Sequence, residues 1–143
     1  MFKGFKKKFI KVNKGKIFCR VGGSGPALLL LHGYPQTHFM WHKTAKELAK
    51  SFTIIVADLR GYGSSFVLKS DSNHINYSKR EMAKDMIQLM DKLGFKKFFI
   101  AGHDRGGRVA HRLARDFRKK IIAMSVLDIC PTLDMYELTE KNF

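Results

Sequence analysis

The segment Gly102-His103-Asp104-Arg105-Gly106 constrains the fold more than any other. It sets an acid between two glycines, after the apolar run FFIA and before a stretch with helical apolar spacing. A G-x-D-x-G sequence between a strand and a helix predicts a tight turn that lifts Asp104 off the end of a sheet. The glycines are needed sterically, because side chains at 102 and 106 would collide with the neighbouring strand and helix. The N-terminus of the following helix lies beneath the carboxylate and favours its ionised form.

The rest of the chain supplies a sheet for such a turn. KKFIKV at 7–12 and KIFCR at 16–20 flank Asn13-Lys14-Gly15 and predict a hairpin. ALLLL at 27–31 is a continuous apolar run, as in a strand covered on both faces. A helix is expected over 37–50, with Phe39, Trp41, Ala45, Leu48 and Ala49 on its apolar face. FTIIVAD at 52–58 predicts a second central strand, and 59–78 a polar, glycine-containing loop.

Ser78 caps a helix expected over 79–93, with Glu81 as its capping-box partner and Gly94 as its stop. Met82, Met86, Leu89, Met90 and Leu93 form its apolar stripe. KKFFIAG at 96–102 predicts a strand, 106–117 a helix and IIAMSVLD at 121–128 a further strand. Strands alternating with helices predict an α/β fold, with a mostly parallel sheet and helices on both faces. Active groups then belong at the C-terminal strand ends, where His32-Gly33, Asp58, residues 102–107 and Asp128 fall.

Composition narrows the class. Apolar residues make up 45% of the chain, which argues against a disordered protein. No apolar run is long enough to span a bilayer, and the basic N-terminus lacks the apolar core of a signal peptide, so the cytoplasm is the default expectation. Cys19 and Cys130 sit in apolar surroundings and read as buried free thiols. No spacing of ligands indicates a metal, and no cofactor is expected. Twenty-seven basic against 12 acidic residues give a net charge of +15. The lysines are scattered without a nucleic-acid motif, so a solvated basic surface is expected rather than a specific nucleic-acid or membrane site.

An aspartate where such turns usually carry serine changes the chemistry. A carboxylate suits in-line attack on a saturated carbon bearing a leaving group, which forms an ester on the protein. Water must then hydrolyse that ester, and the backbone N–H groups of Arg105 and Tyr34 are placed to form an oxyanion hole for this step.

HGYPQTHFMW at 32–41, DLRGYGSS at 58–65, GHDRGGRVAHRLARD at 102–116 and VLDICPT at 126–132 resemble the haloacetate dehalogenases, fluoroacetate dehalogenase included. That group lies beside the epoxide hydrolases in the α/β-hydrolase superfamily. The resemblance runs from about residue 8 to the end. It implies that Asp104 displaces halide from a 2-haloacid. It implies that Arg105 and Arg108 grip the substrate carboxylate, as two guanidiniums can. Asp128 matches the acid that orients the family's catalytic histidine. His32, Gly33, Gly102 and Gly106 match its structural positions.

The resemblance also implies missing parts. The family's base histidine and its helical cap, with halide-binding histidine, tryptophan and tyrosine, lie beyond the stretch that matches. Residues 1–143 are therefore expected to be the N-terminal part of one α/β-hydrolase domain, truncated before the cap and the C-terminal strands. Asp104 alkylation without turnover is expected, with a C-terminal complementing chain or self-association as the route to a complete site. None of the six histidines is expected to replace the base, His103 included, because neighbouring side chains on the turn point apart. Two alternatives stay open at this stage. One is an epoxide hydrolase-like fragment, which leaves Arg105 unexplained. The other is a non-catalytic basic fragment that binds partners or polyanions.

Overall fold

In chain order the strands are β1 (Lys6–Val12), β2 (Gly15–Gly22), β3 (Ala27–Leu31), β4 (Thr53–Ala57), β5 (Phe98–His103) and β6 (Ile121–Leu127). The helices are α1 (Thr44–Leu48), α2 (Lys79–Lys92), α3 (Arg105–Asp116) and α4 (Thr132–Glu140). This computed structural model describes residues 1–130 and 132–140. Pro131, part of the VLDICPT motif, lies outside the described residues.

β3 is buried at every position because it lies between two parallel neighbours, β4 and β5, with a layer on each face. β6 extends the parallel set beyond β5. The β1–β2 hairpin joins antiparallel to β4, with Cys19 opposite Ala57. The sheet is therefore mixed, in the order β1-β2-β4-β3-β5-β6.

Period-two alternation sends successive β3 and β4 side chains to opposite layers. Leu29, Leu31, Ile55 and Ala57 pack with Met86, Leu89 and Met90 of α2 and with Val109, Ala110 and Leu113 of α3. Leu28, Leu30, Ile54 and Val56 pack with Trp41 and Ala45 on the other face. Helices cover both faces, as expected. The methionine stripe of α2 is core packing.

Some local expectations are corrected. The helix expected over 37–50 is two pieces, a 3₁₀ turn at His38–Trp41 and the short α1. The Asp58 carboxylate accepts both the backbone N–H of His38 (2.7 Å) and a hydrogen bond with its ring (2.8 Å), which pins the first turn to the end of β4. The capping box before α2 is one-sided. Ser78 Oγ accepts from Glu81 N–H, while the Glu81 carboxylate turns to Lys84 and Lys14. Gly94 ends α2 at φ +89°, where Phe95 N–H reaches back to Met90 O.

The segment 59–78 is a loop, yet it is firmly tied. Arg60, 2% exposed, donates to both oxygens of buried Asp85 on α2 at 2.6 and 2.7 Å. It also donates to the carbonyls of Asn76 and Glu81.

β6 is the sheet's far edge, and its faces are open. Ile122, Met124, Val126 and Leu127 are exposed, as are Leu133, Tyr136 and Leu138 of α4. Cys130 is likewise exposed, whereas Cys19 is buried; both thiols are free. The expectation of two buried thiols thus fails at Cys130, because no described element packs over the segment after β6.

Candidate active site

Asp104 takes a backbone conformation of φ +46°, ψ −117°, uncommon for a residue with a side chain. The turn is held on both sides. Asp104 N–H donates to Leu127 O at the end of β6, and Asp104 O accepts from Arg108 N–H in the first turn of α3. A Cβ on Gly102 would lie 2.4 Å from Gly106 O, so strand and helix pass too closely for a side chain. Gly33 is equally confined: a Cβ there would meet Asp104 Cβ at 2.7 Å.

The carboxylate lies against the loop after β3. Tyr34 N–H donates to Asp104 Oδ2 at 2.8 Å. The Arg105 N–H faces the same carboxylate. Partial burial works against ionisation of Asp104. These two backbone donors, with the charges of His103 and Arg105, outweigh it and hold the carboxyl below its ordinary range. The pair of N–H groups expected for an oxyanion hole thus converges on Asp104 itself.

Asp104 opens into a cavity of about 510 Å³ lined by Tyr34, Lys79, Arg105 and Arg108. The Arg105 guanidinium donates to Tyr62 Oη at 3.0 Å and lies over the Tyr34 ring, 4.6 Å from its centroid. Arg108 Nε is buried and unpartnered among the described residues, and its Nη2 reaches Met135 Sδ at 3.6 Å. Lys79, the first residue of α2, was not singled out in the sequence. Burial, then Arg105 and Arg108, push its amine below the ordinary lysine value. It makes no hydrogen bond or close ion pair among the described residues. A lysine in the first turn of a helix opposes the macrodipole, and that mismatch was the signal available.

His32 lies beneath the loop, fully buried. Its Nε2 accepts from Leu59 N–H at 3.0 Å, so Nδ1 carries the proton and donates to Gly33 O. Burial holds this ring below the ordinary histidine value. His32 thus ties the ends of β3 and β4 together.

His103 and Asp104 diverge as expected. His103 Nδ1 meets Gln36 Oε1 at 3.1 Å, and Nε2 lies 3.4 Å from Asp128 Oδ2. Asp128 follows β6 at φ +53°, and its side chain is 85% exposed. The open side of β6 leaves this acid in solvent. No histidine ring hydrogen-bonds the Asp104 carboxylate among the described residues. No cluster of three or more His, Cys, Asp or Glu side chains there is arranged to hold a metal ion.

Asp58 is a buried carboxylate outside the cavity. Burial opposes its ionisation, but the His38 ring and N–H and the Ser64 N–H outweigh that, and the carboxyl sits below its ordinary value. A depressed folded value contributes stability that is complete above the unfolded pKa, about 3.9, and is lost as pH falls through the folded value. Urea denaturation at pH 7 and pH 3 should therefore show a larger acid loss in the parent than in Asp58→Asn. Equal losses would mean that Asp58 contributes nothing to the acid limb.

The arrangement of a positive-φ acid between strand and helix, facing N–H groups from the loop after the central strand, has a counterpart in known proteins. The sequence matches the family described as alpha/beta hydrolase fold over residues 26–142. The chain belongs to the α/β-hydrolase family. It is 49% identical to the fluoroacetate dehalogenase of Burkholderia sp over 141 residues, 99% of this chain and 46% of that protein. It is 38% identical to the soluble epoxide hydrolase of Corynebacterium sp. (strain C12), over 85% of this chain and 41% of that one. An α/β-hydrolase structure from Nostoc sp PCC 7120 superposes with a TM-score of 0.96 at 49% identity, covering 99% of this chain and 49% of the other. The chain thus spans about half the length of the relatives it matches. No helix among the described residues is long and apolar enough to cross a membrane.

Proposed function

We propose that this α/β hydrolase carries the alkylation half-site of a 2-haloacid dehalogenase, with Asp104 as nucleophile. The observation that supports this most is the pairing of a free carboxylate with three cations in one cavity. Tyr34 N–H holds Oδ2, which leaves Oδ1 available for attack. An Oδ1 electron pair forms the new C–O bond to the α-carbon while the carbon–halogen bond breaks, and the halide leaves with its electrons. Oδ2 becomes the ester carbonyl, already seated against the Tyr34 N–H, which would stabilise charge when water attacks it. Arg105 and Arg108 hold the substrate carboxylate and aim its α-carbon at Asp104. An epoxide carries no anion and would leave these cations unused.

The resemblance assigns the next role to Asp128, which would orient a histidine base; here it faces His103 instead. With no histidine on the Asp104 carboxylate among the described residues, hydrolysis of the ester by this chain alone is slow. The open face of β6 is where a C-terminal complementing segment, or a second copy, would complete the sheet. The similarity to relatives about twice as long supports reading residues 1–143 as the N-terminal part of one domain. A cytoplasmic setting is supported by two free thiols.

Halide release from chloroacetate tests the reading. In a variant with Cys130→Ser, which removes the exposed competing thiol, release should level off at no more than one halide per chain. Sustained release would mean that a base acts on the ester after all. Absence of any release would remove the proposed half-reaction.

A further inference from the structure

We propose that Lys79 makes the Asp104 cavity selective for substrates bearing two anionic groups, a 2-halodicarboxylate in preference to a simple 2-haloacid. The proposal rests on the dehalogenase half-site above and goes on to name its substrate class. Among the described residues Asp104 is the only acid lining the cavity, against Lys79, Arg105 and Arg108. With a monocarboxylate held by the two arginines, three cations face two anions, Asp104 and the ligand, so one positive charge stays unbalanced. Lys79 is half-buried, feels the charge of Asp104 and makes no hydrogen bond among the described residues. An excess of positive charge in a part-buried site is unfavourable, and a second anion from the ligand would relieve it.

Two further observations support a second anion site. Arg108 Nε is buried with no partner among the described residues, so the cationic cluster has an unused donor. The cations come from different elements, Lys79 from the start of α2 and the arginines from α3. A ligand with carboxylates at both ends can therefore bridge them, with its α-carbon over Asp104.

Unreactive analogues test this on the chain as it stands. Succinate and butyrate have the same carbon count and differ in the second carboxylate. At fixed ionic strength, calorimetry should find succinate bound about tenfold tighter than butyrate, as expected for one charge-assisted contact. Lys79→Met should abolish that preference, with succinate binding falling much further than butyrate binding, and Lys79→Arg should retain it. Lys92→Met, an exposed charge at the far end of α2, controls for the general positive field and should keep the preference. Equal binding of succinate and butyrate by the parent, or equal losses in Lys79→Met and Lys92→Met, would overturn the proposal. Asp104 esterification by chloroacetate, followed in the same samples, reports separately on the half-site. Its loss with the succinate preference intact would remove the dehalogenase reading and leave the dianion site standing.

Discussion

Asp104→Asn is expected to abolish ester formation with chloroacetate, lowering its rate by at least about 10⁴-fold, the scale seen when a nucleophile is removed. The amide is nearly isosteric, and its oxygen can still accept from Tyr34 N–H. The turn should therefore persist, with an unchanged circular dichroism spectrum and thermal midpoint near that of the parent. What disappears is the negative charge and with it the nucleophile. The two arginines and Lys79 remain, so carboxylate binding should be kept or strengthened while chemistry stops. A variant that loses both binding and fold would mean that the charge of Asp104 is a structural counter-ion for the cations. Retained ester formation would place the reactive group elsewhere.

The second large effect concerns stability. Arg60→Ala removes one half of a buried ion pair and leaves Asp85 without its charged partner. It also strips the donors from two backbone carbonyls, Asn76 O and Glu81 O. Breaking such a pair costs about 3–5 kcal/mol, against a total stability on the order of 5–15 kcal/mol for a small domain. Thermal unfolding should fall by roughly 10–20 °C. The double variant Arg60→Met/Asp85→Leu should recover much of that loss, because no unpaired charge remains. If Arg60→Ala unfolds like the parent, the loop 59–78 is not anchored through this pair. The consequence for the site is indirect: Tyr62 in that loop holds the Arg105 guanidinium, so loosening the loop should weaken carboxylate binding as well.

The turn around Asp104 was legible because its constraints are local. Glycines that admit close backbone approach, an apolar strand before and an amphipathic helix after can all be read without knowing the neighbours. The same holds for the Tyr34 donor, which follows the buried run of β3. Lys79 was not legible, because only the packing of α2 beside α3 brings its amine to Asp104. The Arg60–Asp85 pair was hidden for the same reason, its partners lying on a loop and on a helix. The first turn of the helix expected over 37–50 is fixed by tertiary contacts, Asp58 accepting from the His38 N–H and bonding its ring, and apolar spacing cannot register them. Cys130 was misjudged as buried because β6 has the composition of an inner strand. Its exposed Ile122, Val126 and Leu127 show that an apolar sequence reports what a strand is suited to pack against, not what covers it in this chain.

The most direct measurement is the location of the label after incubation with chloroacetate. The Cys130→Ser chain is digested, and the modified residue is identified by mass spectrometry, with hydroxylamine used to separate esters from stable alkyl groups. A single hydroxylamine-labile ester on Asp104 is the predicted result. A hydroxylamine-stable label on a histidine or lysine, with Asp104 unmodified, would contradict the assignment of Asp104 as the nucleophile.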